Sequence, residues 1–172
     1  MEEVVLVNEN DQQVGQMEKL KAHQLGLLHR AFSVFIFNSK GELLLQQRAD
    51  SKYHSGGLWT NTCCSHPLPG ESLHDAVNRK LKQEMGLTLS ANHSFSFIYK
   101  ATLDNNLTEH ELDHVFIGYS DQPPVLNPQE AKAWKYQSLT EIKKEIGQQP
   151  EKFTAWFKLL LQHPHFSTST IL

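Results

Sequence analysis

The chain has 172 residues, of which 39% are hydrophobic and 20% are charged, a composition typical of one globular domain. Its formal net charge of -3 gives no overall positive field, so we expect neither nucleic acid nor a membrane surface as a partner. No obligate protein partner is evident in the sequence. The acidic start lacks the pattern of a signal peptide, and the two cysteines are adjacent, which is a poor arrangement for a disulfide framework. We therefore expect a cytoplasmic protein with free thiols.

The first half of the chain predicts strands followed by one strong helix. A strand is predicted at residues 4–7, and two more are predicted within residues 27–48, joined by a turn at 38–41. A polar, glycine-bearing loop at 49–58 leads into an extended segment. The helix covers residues 72–86, because Ser72 followed by Asp75 resembles a capping box and Gly86 is typical of a helix end.

The second half predicts further strands before two terminal helices. The strands are predicted at residues 94–103, 109–119 and 131–136, and the helices at 139–146 and 150–163. Strands outnumber helices, and no internal repeat or linker divides the chain. The pattern predicts an α+β fold in which helices flank a mixed β-sheet, as a single domain over residues 1–172.

The segment TNTCCSH at residues 60–66 places both cysteines beside a histidine. If it is extended, Cys64 and His66 point to one face and Cys63 points to the other. Two small buried thiols are the structural alternative, since free cysteine packs as a small hydrophobe. The neighbouring histidine favours chemistry for Cys64 and packing for Cys63.

Acidic and imidazole side chains form a second pattern. On a strand, Glu109 and Glu111 project from the same face, and two like charges this close require either solvent or a cation. His23 and His29 are six residues apart, which does not suit one helix face but suits a loop entering a strand. Together with His66 they make a mixed nitrogen and oxygen set that suits Mn, Fe, Mg or Zn. A solvated strand edge is the alternative for the two carboxylates.

Basic residues on separate segments form a third pattern, which consists of Lys19, Arg48, Lys52, Arg79 and Lys80. If these side chains converge they can bind a diphosphate, because guanidinium and ammonium groups are good phosphate ligands. A solvated surface is the alternative for each of them.

The predicted helix fits most of the Nudix box, in which helix carboxylates hold Mg²⁺ on a diphosphate. The matching positions are Glu71, Arg79, Leu81, Glu84, Gly86 and Leu87. Three positions depart from it, since Ser65 replaces a glycine while Lys80 and Gln83 replace glutamates. The loss of two carboxylates weakens the multi-metal site of a hydrolase, whereas Glu84 can still hold one Mg²⁺.

Taken in order, several segments resemble the type I isopentenyl diphosphate isomerases of the Nudix superfamily. They are GLLHRAFSVFIFN (26–38), LLLQQR (43–48), TNTCCSHPL (60–68), the run from YKA to EHELD (99–113) and AWFK (155–158). The resemblance implies a Nudix-like fold and an enzyme of isoprenoid biosynthesis that interconverts isopentenyl diphosphate and dimethylallyl diphosphate.

The resemblance also implies roles for individual residues. Cys64 and Glu111 would flank the double bond of the substrate, and Tyr99 and Trp156 match the active-site aromatics. A divalent metal, Mn²⁺ or Zn²⁺, would be held by His23, His29, His66, Glu109 and Glu111, while a second ion, Mg²⁺ bridged to the diphosphate, would bind Glu84 and the backbone carbonyl of Cys64. The diphosphate itself would contact Lys19, Arg48, Lys52 and Lys80.

The chemistry of moving a double bond is compatible with these groups. An alkene is a weak base and needs a strong, desolvated acid, for which we favour Glu111, and a base on the opposite side, for which we favour the Cys64 thiolate. Trp156 can stabilise a carbocation by about 2 kcal/mol when desolvated, unless it is only a core residue of its helix. Tyr99 can orient Glu111 or simply pack on its strand.

Two other functions remain open at this point. A Nudix pyrophosphohydrolase of a nucleoside diphosphate compound predicts intact paired glutamates on the helix, which Lys80 and Gln83 do not provide. A binding module stabilised by a structural metal predicts no diphosphate ligand, and it leaves the thiol and the basic residues unexplained. The expected partner is therefore a small diphosphate.

Overall fold

The computed structural model describes residues 1–166, which form nine strands, four α-helices and two single 3₁₀ turns. The strands are β1 (Glu3–Val7), β2 (Gln13–Glu18), β3 (His29–Phe37), β4 (Leu43–Arg48), β5 (Trp59–Thr60), β6 (Cys63–Ser65), β7 (Asn92–Thr102), β8 (Thr108–Tyr119) and β9 (Ala131–Gln137). The helices are α1 (Lys19–Leu25), α2 (Leu73–Met85), α3 (Leu139–Gln148) and α4 (Ala155–Gln162), with 3₁₀ turns at Pro150–Lys152 and Pro164–Phe166. The α+β prediction is confirmed.

Strand β3 organises the sheet. It pairs with β8 in parallel over its whole length and with β1, β4 and β6 in antiparallel fashion, so the sheet is mixed. In this register His29 lies opposite Glu111, and Ser33 lies opposite Cys64. Three segments that are far apart in the chain therefore meet along one strand.

Both faces of β3 are buried, because helices cover the sheet from two sides. Phe35 and Phe37 pack in a cluster with residues of α4, whereas Val34 and Ile36 pack in a second cluster with residues of α2. Alternate residues of an extended chain point to opposite faces, which explains this division. Burying each such large side chain contributes roughly 1.5–3 kcal/mol.

Helix α2 begins and ends as its sequence predicts. The Ser72 side chain accepts a hydrogen bond from the Asp75 N–H at 3.1 Å, which satisfies one of the free donors of the first turn. Gly86 ends the helix with φ +62°, a left-handed conformation that glycine adopts without strain. The caps hold α2 across the sheet beside β6.

The prediction of one helix at residues 150–163 is wrong. Phe153 is extended, with φ -120° and ψ 148°, and it forms a bridge with Trp59. The Thr154 N–H donates to the Trp59 carbonyl at 3.0 Å, and the Thr154 side chain then caps α4 through the Phe157 N–H. Contact with β5 therefore interrupts the helix and starts α4 at Ala155.

Two elements at the start of the chain were not predicted. Strand β2 pairs with β1 and lies at one edge of the sheet. Helix α1 is capped by the Glu18 carboxylate, which accepts from the N–H groups of Leu20 and Lys21, and it ends at Gly26. His23 therefore lies in the last turn of a helix rather than in a loop.

Among the described residues, no helix combines the length and the apolar character that crossing a bilayer requires.

Candidate active site

Four of the predicted metal ligands meet in one buried cluster, formed by His23, His29, His66 and Glu111. Their nearest ligand atoms all lie within 4.8 Å of one another. The Glu111 Oε2 is 2.7 Å from His66 Nε2 and 3.3 Å from His29 Nε2. Helix α1, the strands β3 and β8, and the residue after β6 each contribute one side chain, so the set depends on the tertiary fold.

Backbone carbonyls orient two of the imidazoles of this cluster. His23 donates through Nδ1 to the Lys19 carbonyl at 2.7 Å, and His29 donates through Nδ1 to the Leu27 carbonyl at 2.9 Å. A carbonyl can only accept, so the proton of neutral His23 lies on Nδ1 and its Nε2 is left unprotonated toward the cluster, as a metal ligand requires. The His23 Nε2 is buried and has no hydrogen-bond partner among the described residues. These donors fit a divalent cation.

The electrostatics of the cluster also suit a cation. Burial, followed by the charge of His66, lowers the pKa of His23 to about 4, so the imidazole is neutral at pH 7. Burial alone would raise the pKa of Glu111, but hydrogen bonds from His29 and His66 hold it well below its usual range. Glu111 is therefore an anion among three imidazoles.

Glu109 lies outside this close group but lines the same cavity. Its Oε2 is buried without a hydrogen-bond partner in the described part of the chain. Burial and the adjacent Glu111 charge raise the pKa of Glu109 well above its ordinary value. The face prediction for β8 is correct, because Glu109 and Glu111 are buried together while His110 contacts the Gly26 carbonyl on the other side.

Cys64 lines the cavity with Glu111, and its sulfur has two close polar partners. The Trp156 Nε1–H donates to Sγ at 3.2 Å, and the thiol donates to the Asn61 Oδ1 at 3.0 Å. Burial raises the pKa of the Cys64 thiol. The thiol therefore keeps its proton in the resting site, and the donor and acceptor roles of Cys64 and Glu111 stay a prediction.

The two predicted aromatics both contact the proposed reacting groups. Tyr99 lies opposite Glu111 across the pairing of β7 and β8, and its hydroxyl donates to the Glu111 Oε1. Trp156 belongs to the cluster under α4 but also lines the cavity. Trp156 therefore both packs in the core and faces the site.

The four predicted diphosphate ligands Lys19, Arg48, Lys52 and Lys80 all line the cavity, together with Glu84. Each lysine is paired with a carboxylate, Lys19 with Glu2 at 3.1 Å, Lys52 with Glu130 at 2.5 Å and Lys80 with Glu84 at 3.2 Å. Arg79 does not join them, because it forms an ion pair with Glu71 at 2.7 Å and is not among the cavity-lining residues.

Arg48 differs from the lysines in its partners. Its guanidinium lies 5.1 Å from the centre of the Trp156 ring and donates to the His54 carbonyl at 3.1 Å. Its Nε is buried without a hydrogen-bond partner in the described residues. A buried, unpaired guanidinium N–H at the cavity is the kind of donor that an anionic ligand satisfies.

Glu84 is held by a second network on α2. The Gln46 Nε2 donates to the Glu84 Oε1 at 3.0 Å and to the Thr62 carbonyl at 2.8 Å. Glu84 thereby faces the cavity near the Cys64 segment, whereas Gln83, where the Nudix box has a glutamate, is exposed. The arrangement leaves one α2 carboxylate, rather than a pair, at the cavity.

Several functional candidates were missed by the sequence analysis. Tyr53 and His54 line the cavity from the loop after β4, a segment without periodicity. Asp113 continues the same-face alternation of Glu109 and Glu111 and could have been found from it. It is fully buried and accepts from the Ser33 hydroxyl at 2.7 Å, next to Cys64.

The chain is similar to known proteins over most of its length. The NUDIX domain family model matches residues 27–157. The isopentenyl-diphosphate Delta-isomerase of Pectobacterium atrosepticum is 55% identical, covering 91% of this chain and 88% of that protein. Isopentenyl-diphosphate Delta-isomerase 2 of Aromatoleum aromaticum is 49% identical, covering 93% of this chain and 85% of that protein.

Solved structures agree on the fold. A crystal structure of a Deinococcus radiodurans protein matches with a TM-score of 0.77, covering 92% of this chain and 97% of that one at 22% identity. A MutT protein of Methanosarcina mazei matches with a TM-score of 0.64 at 24% identity, covering 78% of this chain and 91% of that one. The Nudix-like fold predicted from the sequence is confirmed, and the chain belongs to the isopentenyl-diphosphate Delta-isomerase family of NUDIX-domain proteins.

Proposed function

We propose that this protein interconverts isopentenyl diphosphate and dimethylallyl diphosphate. The observation that carries the proposal is the placement of the Cys64 thiol and the Glu111 carboxylate in one cavity that is also lined by four cationic side chains. Relatives between 44% and 55% identical, matched over more than 90% of this chain, are named isopentenyl-diphosphate Delta-isomerases. A thiol and a carboxylate are the acid and base that such an isomerisation needs.

Two sets of residues suit divalent ions. His23, His29, His66, Glu109 and Glu111 would hold Mn²⁺ or Zn²⁺. The donor types support this, and so does the His23 Nε2, which has no partner among residues 1–166. Glu84 and the Cys64 carbonyl would hold Mg²⁺ together with the diphosphate oxygens. When bound, these ions neutralise the buried carboxylates and the diphosphate charge.

The cations position the diphosphate. Arg48 offers a buried N–H with no partner in the described residues, and Lys19, Lys52 and Lys80 can exchange their carboxylate partners for phosphate oxygens. Fixing one end of the substrate in this way holds the double bond between the thiol and the carboxylate.

The proton steps use both groups. One of them gives its proton to the terminal alkene carbon, and positive charge develops on the tertiary carbon. The other removes a proton from the adjacent methylene, and that C–H electron pair forms the new double bond. Proton exchange with solvent then restores both groups for the next turnover. The indole N–H of Trp156 stabilises Cys64 whenever it is a thiolate. The reverse reaction uses the same groups with exchanged roles.

Proton NMR of isopentenyl diphosphate with purified protein, Mg²⁺ and Mn²⁺ tests the proposal. We expect signals of the dimethylallyl isomer with the wild type and with Cys63→Ala, and none with Cys64→Ala. An unchanged substrate in the presence of folded, metal-loaded wild type would contradict an isomerase. Release of phosphate from a nucleoside diphosphate compound by the same sample would indicate a hydrolase instead.

A further inference from the structure

We propose that Asn61 is a positioning residue for Cys64, because its side-chain oxygen accepts the thiol proton and fixes the direction of the S–H bond in the resting site. The inference rests on the proposed function, in which Cys64 exchanges a proton with the substrate. Asn61 is fully buried, and its Oδ1 lies 3.0 Å from the Cys64 Sγ.

The orientation of the Asn61 amide is determined by its other contacts. Its Nδ2 donates to the Val34 carbonyl at 3.1 Å and to the Cys63 carbonyl at 3.1 Å. Carbonyl oxygens can only accept, so a rotated amide would place its oxygen against two other oxygens. The amide oxygen therefore faces Cys64, and the thiol must be the donor in that contact.

The second lone pair of the Asn61 oxygen is also occupied. The Thr60 hydroxyl donates to Oδ1 at 2.9 Å, and the Thr154 hydroxyl lies 3.0 Å from that of Thr60. Because Oδ1 cannot donate, Thr60 must donate to Asn61 and Thr154 must donate to Thr60. All four hydrogen-bonding positions of the Asn61 amide are thus filled, which leaves it no alternative arrangement.

Helix α4 is connected to the thiol in two ways, one direct and one through other side chains. Thr154 caps this helix and supports Asn61 through Thr60, while Trp156, two residues further on, donates from its indole to the Cys64 Sγ. The sulfur therefore accepts from the indole N–H and donates to the Asn61 oxygen, while the Ser33 hydroxyl lies farther away, 3.6 Å from Sγ. A carbonyl oxygen holds the proton without removing it, so the proton is retained until the S–H turns toward the substrate.

A comparison of Asn61→Ala with Thr62→Val tests the inference. Thr62 is also fully buried and also bonded to the backbone, since its hydroxyl donates to the Leu44 carbonyl at 2.6 Å and accepts from the Ile36 N–H at 3.0 Å, but it does not contact Cys64. We expect Asn61→Ala to lower kcat about tenfold or more with KM nearly unchanged. Thr62→Val should lower thermal stability without that loss of kcat.

The infrared S–H stretch gives a readout that does not depend on activity. The Cys64 band, assigned with Cys64→Ala and Cys63→Ala, should lie at the lowered frequency of a hydrogen-bonded thiol in the substrate-free wild type. In Asn61→Ala it should move toward the frequency of a free thiol, and in Thr62→Val it should stay in place.

Two results would overturn the inference. One is a wild-type Cys64 band at the free-thiol frequency, which decides the matter even if no Asn61 variant folds. The other is a kcat of folded Asn61→Ala equal to that of Thr62→Val. An inactive wild type with a hydrogen-bonded Cys64 thiol would instead count against the proposed function and leave the contact intact.

Discussion

The two adjacent cysteines of β6 occupy different environments on the two sides of the sheet. Cys63 is fully buried in the apolar cluster that contains Val77 and Leu81 of α2. Cys64 is partly buried among polar groups, with an indole N–H and an amide oxygen at its sulfur. Burial raises the pKa of both thiols. Burial alone therefore does not distinguish a packing thiol from a reactive one, and the directional partners and the cavity do.

The same division extends along the neighbouring strands. On the Cys64 side, β8 presents buried carboxylates, and β3 presents His29 in addition to the apolar Phe35 and Phe37; on the Cys63 side, β3 presents Val34 and Ile36. Substitutions on the two sides should therefore separate loss of activity from loss of stability.

The largest effect is expected at Glu111. Glu111→Gln removes the anion that contacts His29 and His66, and we expect kcat to fall by about 10²–10⁴-fold, the usual size of a lost acid or base. Bound divalent metal, measured by atomic emission, should fall as well. His110→Ala is the matched control, because His110 points to the other face and contacts the Gly26 carbonyl. Comparable activity losses in both variants would contradict the assignment.

On the Cys63 side, Leu81→Ala should lower the free energy of unfolding without changing kcat. Leu81 is fully buried against the Cys63 side of the sheet, so the cavity left behind should lower the free energy of unfolding by about 2–5 kcal/mol. Urea denaturation measures this loss. At a temperature where the variant is fully folded, kcat should equal that of the wild type, and a large drop would show that the two sides are not independent.

The Cys64 side should also make the metal-free protein sensitive to acid. Burial, together with the Arg48 charge, lowers the pKa of His54 to about 3. An unfolded histidine binds its proton below a pH of about 6.5, so the proton favours the unfolded chain. The contribution of His54 to the free energy of unfolding is therefore fully present above pH 6.5. It falls as the pH decreases toward 3, by about 1.4 kcal/mol per pH unit.

His54→Asn should reduce that slope. Urea unfolding in the presence of a chelator, measured between pH 6 and pH 4, gives the free energy of unfolding for both proteins. The free energy of unfolding of the wild type should decrease more steeply with falling pH than that of the variant, and the difference in slope should correspond to one bound proton. Parallel curves would mean that His54 is protonated in the folded protein.

The smallest effect is expected from Cys63→Ala. Removing one buried sulfur from the apolar cluster should lower the free energy of unfolding by about 1 kcal/mol. A thermal melt checks this, and kcat should be unchanged. A loss of activity as large as that of Cys64→Ala would place both thiols in the reaction and remove the contrast between them.

The parts of the site that depend on alternation along a strand could be predicted from the sequence. The opposite directions of Cys63 and Cys64, and the shared face of Glu109 and Glu111, follow from the period of two. The capped ends of α2 follow equally well, because the residue types at Ser72 and Gly86 act locally. These features need no knowledge of the rest of the fold.

The remaining features depend on distant contacts. Strand β2 is mostly solvent-accessible and lacks an apolar alternation, so its pairing with β1 left no pattern to detect. The interruption before α4 requires Trp59, which lies about ninety residues earlier. The parallel pairing of β3 with β8, which places His29 opposite Glu111, also depends on tertiary contacts. The contact of Asn61 with Cys64 does too, because the carbonyls of Val34 and Cys63 orient the Asn61 amide.

The ion pairs around the cavity have a consequence for ligand choice. Lys19, Lys52 and Lys80 already have carboxylate counterions, so an entering anion competes with one internal carboxylate for each lysine it engages. A ligand with one negative charge replaces one pair with another and gains little. A ligand with several linked charges exchanges several pairs in a single binding event, and the loss of translational freedom is incurred only once. We therefore expect the cavity to bind a multivalent anion in preference to monoanions of similar size.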